Sequence, residues 1–225
     1  CGDVYSLTAI KSDTRLLLCH HEGKRSTENA IELFTEVEKM RSASSPIPVF
    51  TSDDWDAFEE GLINVYGKIE LPHYKGIGRR PLPRLVPLDD LKYVKVLKKK
   101  VKNYVVETIQ RIIFGDPKEI FEMLGANSVS YIGTSYAERI NLTIRTSLAR
   151  FIRKGMNFSK TMKMHQKAFD LFQAWYNLIK PHKSLRLEIN SENRKWFQRT
   201  PAMAEGITDH IWNLKELLTF RVSVQ

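Results

Sequence analysis

The chain has little cysteine: two residues in 225, Cys1 and Cys19. Two thiols so spaced provide neither a disulfide framework nor the paired ligands of a zinc ribbon, so a reducing compartment is expected and structural zinc is not. No run approaches the roughly 20 apolar residues that a membrane helix needs. Nor does a basic-then-apolar leader with a small-residue cleavage site stand at the start. A soluble cytoplasmic chain with no membrane partner is the expectation. Internal repeats and low-complexity tracts are also missing, which argues against a repeat architecture. Acid is in deficit: 26 Asp and Glu against 35 Lys and Arg give a net charge of +9. That balance favours a polyanionic partner, although many basic proteins bind none.

What is present suffices for a core, since 42% of the residues are hydrophobic, and the length suits one domain with an appendage. Val4 to Ile10 is β-rich, Lys11 to Thr14 supplies a turn and Leu16 to Leu18 resumes, which reads as a strand hairpin. Its abrupt opening at Cys1-Gly2 leaves room for an upstream domain. Ser26 or Thr27 can cap a helix carrying Ile31, Phe34, Val37 and Met40 at helical spacing. Ile47 to Thr51 is a short buried strand running into Asp53 and Asp54, followed by a helix through Trp55, Phe58, Leu62 and Tyr66. Lys68 to Tyr74 reads as a strand, and the Gly-, Arg- and Pro-rich stretch from Gly76 to Pro87 as an exposed, mobile, basic connector. Tyr93 to Leu97 and Tyr104 to Phe114 flank Lys98, Lys99, Lys100 and Lys102, predicting a hairpin with a basic tip. Ser135 to about Lys180 predicts two long helices interrupted at Gly155, and the remaining tail is mixed.

Phosphoryl transfer on DNA needs an activated oxygen, a stabilised leaving oxygen and neutralised phosphate. Two divalent ions about 4 Å apart supply all three and take carboxylate ligands. Asp3, Asp53 and Glu138, on two strands and a helix, are the candidate set. Singly, each has a plainer explanation: Asp3 as a turn former, Asp53 as the N-cap of the following helix, Glu138 as a solvated helix residue. Asp13, Asp54, Asp56 and Asp116 compete with them on position alone.

Context separates them. The segment Thr134-Ser135-Tyr136-Ala137-Glu138-Arg139-Ile140-Asn141-Leu142, with Arg145, Arg150 and Phe151 behind it, resembles the last motif of DDE-class insertion-sequence transposases. The same pattern continues in order through Phe158-Ser159-Lys160, His165, Phe172 to Asn177, Pro181 to Arg186, Thr200 to Ala204 and Thr208 to Trp212. Upstream, Gly2-Asp3-Val4-Tyr5 with Asp13 to Leu16 is similar to that family's first hairpin, and Thr51-Ser52-Asp53-Asp54 to its second motif. Asp54 stands where a glycine is usual, and Tyr5 where a tryptophan is common.

The resemblance implies an α/β fold of the ribonuclease-H-like, retroviral-integrase superfamily: a mixed sheet flanked by helices, with a β-hairpin insertion between the second and third acids. The implied layout is a catalytic domain over 1–185, with basic connector and hairpin at about 75–115, and a C-terminal extension over 186–225 packing on it. It implies catalytic and metal-binding roles for Asp3, Asp53 and Glu138, with two Mg²⁺ ions that Mn²⁺ can replace. The expected partners are transposon-end and target double-stranded DNA, bound by a homo-oligomer in the prokaryotic cytosol or nucleoid. Arg79, Arg80, Arg84, Lys98, Lys99, Lys100, Arg139, Arg145, Arg150, Lys183 and Arg186 are the expected DNA-binding cations; a solvated charged face is the plainer account of them. Two rivals stay open: an inactive relic that binds DNA without catalysis, and a nuclease that hydrolyses without joining.

Overall fold

The computed structural model describes residues 4–74, 76, 78–102, 104–125, 132–152, 155–191 and 194–221. Along the chain these form β1 (Tyr5–Ile10), β2 (Leu17–Gly23), α1 (Thr27–Met40), β3 (Val49–Asp53), α2 (Asp56–Val65), β4 (Gly67–Glu70) and β5 (Arg84–Pro87). There follow β6 (Lys92–Val101), β7 (Tyr104–Phe114), α3 (Pro117–Leu124), α4 (Ser135–Ser147), α5 (Met162–Leu178), β8 (Leu187–Ser191), β9 (Arg194–Phe197), α6 (Pro201–Glu205) and α7 (Leu214–Thr219). Two compact units divide the chain: residues 1–7 with 23–135, and residues 8–22 with 136–225.

The first unit is built on a mixed sheet in the order β3-β6-β7, with β3 parallel and β7 antiparallel to β6. Side chains alternate across a strand, so β6 serves two cores. Tyr93 joins Phe34, Ile47, Leu62, Tyr66 and Leu91 on one face, while Val94 meets Ile120 and Ile132 on the other. Helix α1 offers Ala30, Leu33, Phe34 and Val37 to the interior, the spacing of one helical face. Helix α2 lies so close to it that a Cβ at Gly61 would stand 3.1 Å from the Ala30 Cβ. Helix α3 starts with Asp116 accepting from the Lys118 N–H and with Pro117 in its first turn, and stops at left-handed Gly125.

Arg84–Pro87, expected in the connector, forms β5 instead, because Arg84 and Val86 find antiparallel partners in Glu70 and Lys68. That pairing is long-range and leaves no local signature; the breaker-rich part of the connector lies between the two strands. The basic-tipped hairpin is present as β6–β7, with Lys98 opposite Thr108 and Lys99 opposite Glu107. Its first strand, however, is the centre of the sheet that carries β3.

The second unit packs α4 and α5 with β2. Ile140 and Ile144 of α4, one turn apart, meet Leu17, Phe169, Phe172 and Tyr176, and Phe169 is fully buried. Asn177 and Gln173 of α5 tie this helix to β2: the Asn177 side chain accepts from the Leu17 N–H and donates to its carbonyl, and Gln173 donates to the Leu17 and Leu18 carbonyls. The mixed tail becomes the β8–β9 hairpin and two short helices. Its motifs lock together, since the His182 N–H donates to the Arg199 carbonyl and the Arg199 Nε to that of Leu185. No helix among the described residues is long and apolar enough to cross a membrane.

Candidate catalytic acids and nucleic-acid interface

Asp53 is the last residue of β3, at the carboxyl end of a parallel strand and opposite Val96 of β6. Ends of this kind are where open α/β sheets present their functional groups. The position is exposed. Asp53 is not the cap of α2, because Trp55 occupies that position and no side chain caps it. Strand alternation puts Asp53 on the face of Val49, opposite the face where the Ser52 hydroxyl meets the Tyr93 hydroxyl at 2.6 Å. Burial pushes the Tyr93 phenol up to about 12, so that it stays protonated.

Three of the four rival acids have structural work, and Asp54 is exposed. Asp56 accepts from Lys95 Nζ at 2.9 Å, and this hydrogen bond holds its carboxyl below the usual range. Asp13 accepts from the Thr14 N–H in the β1–β2 turn, and Asp116 caps α3. Lys95 is a site that the sequence reading missed. Its side chain is 7% exposed in the middle of β6 and pairs with both Asp56 and Glu59, the latter at 2.7 Å. Burial opposes its charge, but the hydrogen bonds it donates to Glu59 and Asp56 outweigh that and hold the ammonium above the ordinary lysine range. A lysine between Val94 and Val96, in an otherwise apolar run, was the available signal.

In the second unit, Glu138 lies in the first turn of α4 and is exposed, where a carboxylate is favoured by the helix dipole. Seven residues on, Arg145 returns to the same face. Arg139, Arg145 and Arg150 are exposed and have no ion-pair partner among the described residues. Arg150 also lines a cavity of 560 Å³ with Ala149, Asn157, Phe158, Lys160, Thr161 and Met164. That lining holds two cations and no carboxylate, which suits a phosphate. The cavity too went unread in the sequence, because its walls come from two sides of the Gly155 interruption.

The other expected cations are placed unevenly. Arg79 is exposed and Arg80 lies 5.9 Å over the Tyr74 ring. Arg84 and Lys99 make exposed ion pairs, with Glu70 at 3.7 Å and Glu107 at 2.8 Å. Such pairs are worth at most about 1 kcal/mol and would yield to a phosphate. Lys98 is half-buried, Lys183 is exposed, and Arg186 stacks 3.8 Å over Trp196. Asp3 and the side chain of Lys100 lie outside the described residues.

The motif histidines have structural settings. His165 stacks on Phe151 at 4.1 Å and its Nδ1 meets the Ser159 hydroxyl at 3.0 Å; burial lowers its pKa. His182 packs edge-on against Tyr176, and burial pushes it down to about 4. Both are therefore neutral near pH 7. Among the described residues no group of three or more His, Cys, Asp or Glu is placed to hold a metal ion. Asp53 and Glu138 belong to different units.

Residues 119–176 match the family model described as IS1 transposase. The matched stretch runs from α3 through the Glu138 helix to near the end of α5. Comparison with curated proteins and with solved structures gave no match.

Proposed function

Taking residues 119–176 as a segment of the IS1 transposase family, we propose that this chain is the catalytic core of an insertion-sequence transposase. It cuts DNA at the ends of its element and joins the freed 3′-hydroxyls to target DNA. The observation that carries this reading is the match itself, because it spans the helix that bears Glu138 and the arginines around it.

The proposed acids are Asp3, Asp53 and Glu138, in the ribonuclease-H-like arrangement that the resemblance implies. The exposed positions of Asp53 and Glu138 and the structural duties of Asp13, Asp56 and Asp116 support that choice. Carboxylate oxygens suit Mg²⁺, with Mn²⁺ as a substitute, and two such ions would neutralise the phosphate and polarise the attacking oxygen. Arg139, Arg145 and Arg150 then hold backbone phosphates beside the Glu138 carboxylate, fixing the duplex without reading its sequence. Lys160 and the cavity it shares with Arg150 extend that contact.

A strand-transfer assay with pre-cleaved ends and Mg²⁺ tests the proposal. Asp53→Asn and Glu138→Gln should each remove joining while leaving salt-sensitive DNA binding in place. Joining that survives either substitution would refute the assignment, and hydrolysis without joining in the unsubstituted protein would make it a nuclease.

A further inference from the structure

Strand β7 is eleven residues long and is the last strand of its sheet, so its outer edge meets no further strand among the described residues. Exposed edges of this length are usually blunted by proline, by lysines on the strand itself or by bulges. β7, with the sequence Tyr-Val-Val-Glu-Thr-Ile-Gln-Arg-Ile-Ile-Phe, has no proline or lysine, and Glu107 and Arg111 are its only charges; its irregularities fall at Val106 and Ile113 and leave Glu107–Ile112 regular. Lys98, Lys99 and Lys100 of the hairpin stand on β6, one strand inward. The tip half of β7 is also apolar and uncovered, with Tyr104 77% exposed and Val106 60% exposed.

We propose that β7 is a homodimerisation edge, on which two copies of this chain pair β7 antiparallel about a two-fold axis through Ile109. An isologous interface requires self-complementarity, and the charges select one register. With the axis at Ile109, Glu107 of each copy stands opposite Arg111 of the other, on the same face of the joined sheet. Moving the axis to Thr108 or Gln110 sets Glu107 against Ile109 or Ile113 and leaves both charges unmatched. The chosen register pairs the regular stretch of β7 with itself, with Thr108 opposite Gln110, and brings the exposed apolar tip of one copy toward the apolar base of the other.

The ion pairs fit what each side chain already does. Glu107 is held from its inner side by Lys99 at 2.8 Å, and Arg111 is exposed with no ion-pair partner among the described residues. The second copy's Arg111 would complete a row Lys99-Glu107-Arg111. On the same face, Leu97 faces Ile109 across the existing strand pair, so the joined sheet gains a continuous apolar stripe through its axis. The antiparallel geometry sends the two basic tips in opposite directions and keeps their lysines apart. This surface does not depend on the transposase reading, since none of its residues belongs to the proposed acids or their arginines.

The test uses the whole chain without DNA. Sedimentation equilibrium should show a dimer. Arg111→Glu and Glu107→Arg each place like charges opposite one another at two sites, and each should weaken dimerisation about tenfold or more; an equimolar mixture of the two should regain it as a heterodimer. In a Cys1→Ser background, oxidised Ile109→Cys should form a disulfide dimer, because residues opposed in an antiparallel pair have Cα atoms about 4.5 or 5.5 Å apart, within disulfide range. Thr108→Cys should cross-link to Gln110→Cys more readily than to itself. A folded monomer at about 100 µM, or dimers indifferent to Arg111→Glu and lacking the Ile109→Cys cross-link, would overturn the proposal.

Discussion

Replacing Ile140 with alanine tests how the Glu138 helix is held. Ile140 stands two residues beyond the acid, is 1% exposed, and packs with Ile144, Leu17 and Phe169. The substitution removes three methylene equivalents from that cluster, about 2.4 kcal/mol at roughly 0.8 kcal/mol each. Incomplete collapse of the space left behind adds to this, so the expected loss is about 3 kcal/mol. Ile140→Val removes one carbon and should cost about 1 kcal/mol. Leu142, on the same helix but 54% exposed, is the control: Leu142→Ala should change stability by less than about 0.5 kcal/mol. Urea unfolding followed by circular dichroism measures all three, with an unchanged slope confirming that the same surface is exposed. For a chain of this size, about 3 kcal/mol corresponds to a Tm lowered by about 6–12 °C. An Ile140→Ala loss under about 1 kcal/mol, or a Leu142→Ala loss equal to it, would refute the claim that this face of α4 is anchored in the core.

His182, pushed down to about 4 by burial, remains neutral in the folded chain while the unfolded chain takes up a proton near pH 6.5. Its contribution is fully present above that pH and is lost as the pH falls toward 4. Because the ring is partly exposed, the loss is discounted to about 1–2 kcal/mol; unfolding free energies from urea titrations at pH 7 and pH 4.5 should differ by that much more for the unsubstituted protein than for His182→Gln. Asp56→Asn should leave strand transfer unchanged, since Asp56 serves Lys95, and loss of joining with an intact fold would restore it as a catalytic candidate. Asp116→Ala removes the α3 cap and should cost about 1 kcal/mol in thermal melts. Arg150→Ala with Lys160→Ala should flatten the dependence of DNA affinity on salt by about 0.9 in log–log slope for each phosphate that is no longer neutralised; a slope identical to that of the unsubstituted protein would remove the cavity from the interface.

Much of the fold was legible because its signals are local. The spacing of Phe34 and Val37 placed α1, and the lysine cluster between two β-rich runs placed the β6–β7 hairpin. The motif around Glu138 was legible for the same reason: it is contiguous, and it falls within the stretch that matches the transposase family. What the sequence left open came from pairings between distant residues. β5 exists because Arg84–Pro87 meets Gly67–Glu70. The β8–β9 hairpin and the coupling of His182 to Arg199 gave no periodicity to read.

The same division runs through the candidate site. Residue type and order by themselves determined the basic balance of the chain, the helix bearing Glu138 and the strand leading into Asp53. Only the tertiary structure decided that Asp56 serves a lysine. Lys95, on a strand distant in sequence, is buried beside α2 and must keep its charge compensated, and Asp56 and Glu59 are the carboxylates that do so. It also decided that β7, which alternation alone would allow at the centre of a sheet, ends one among the described residues. Strand order depends on which edge a distant segment fills, and no local pattern encodes that.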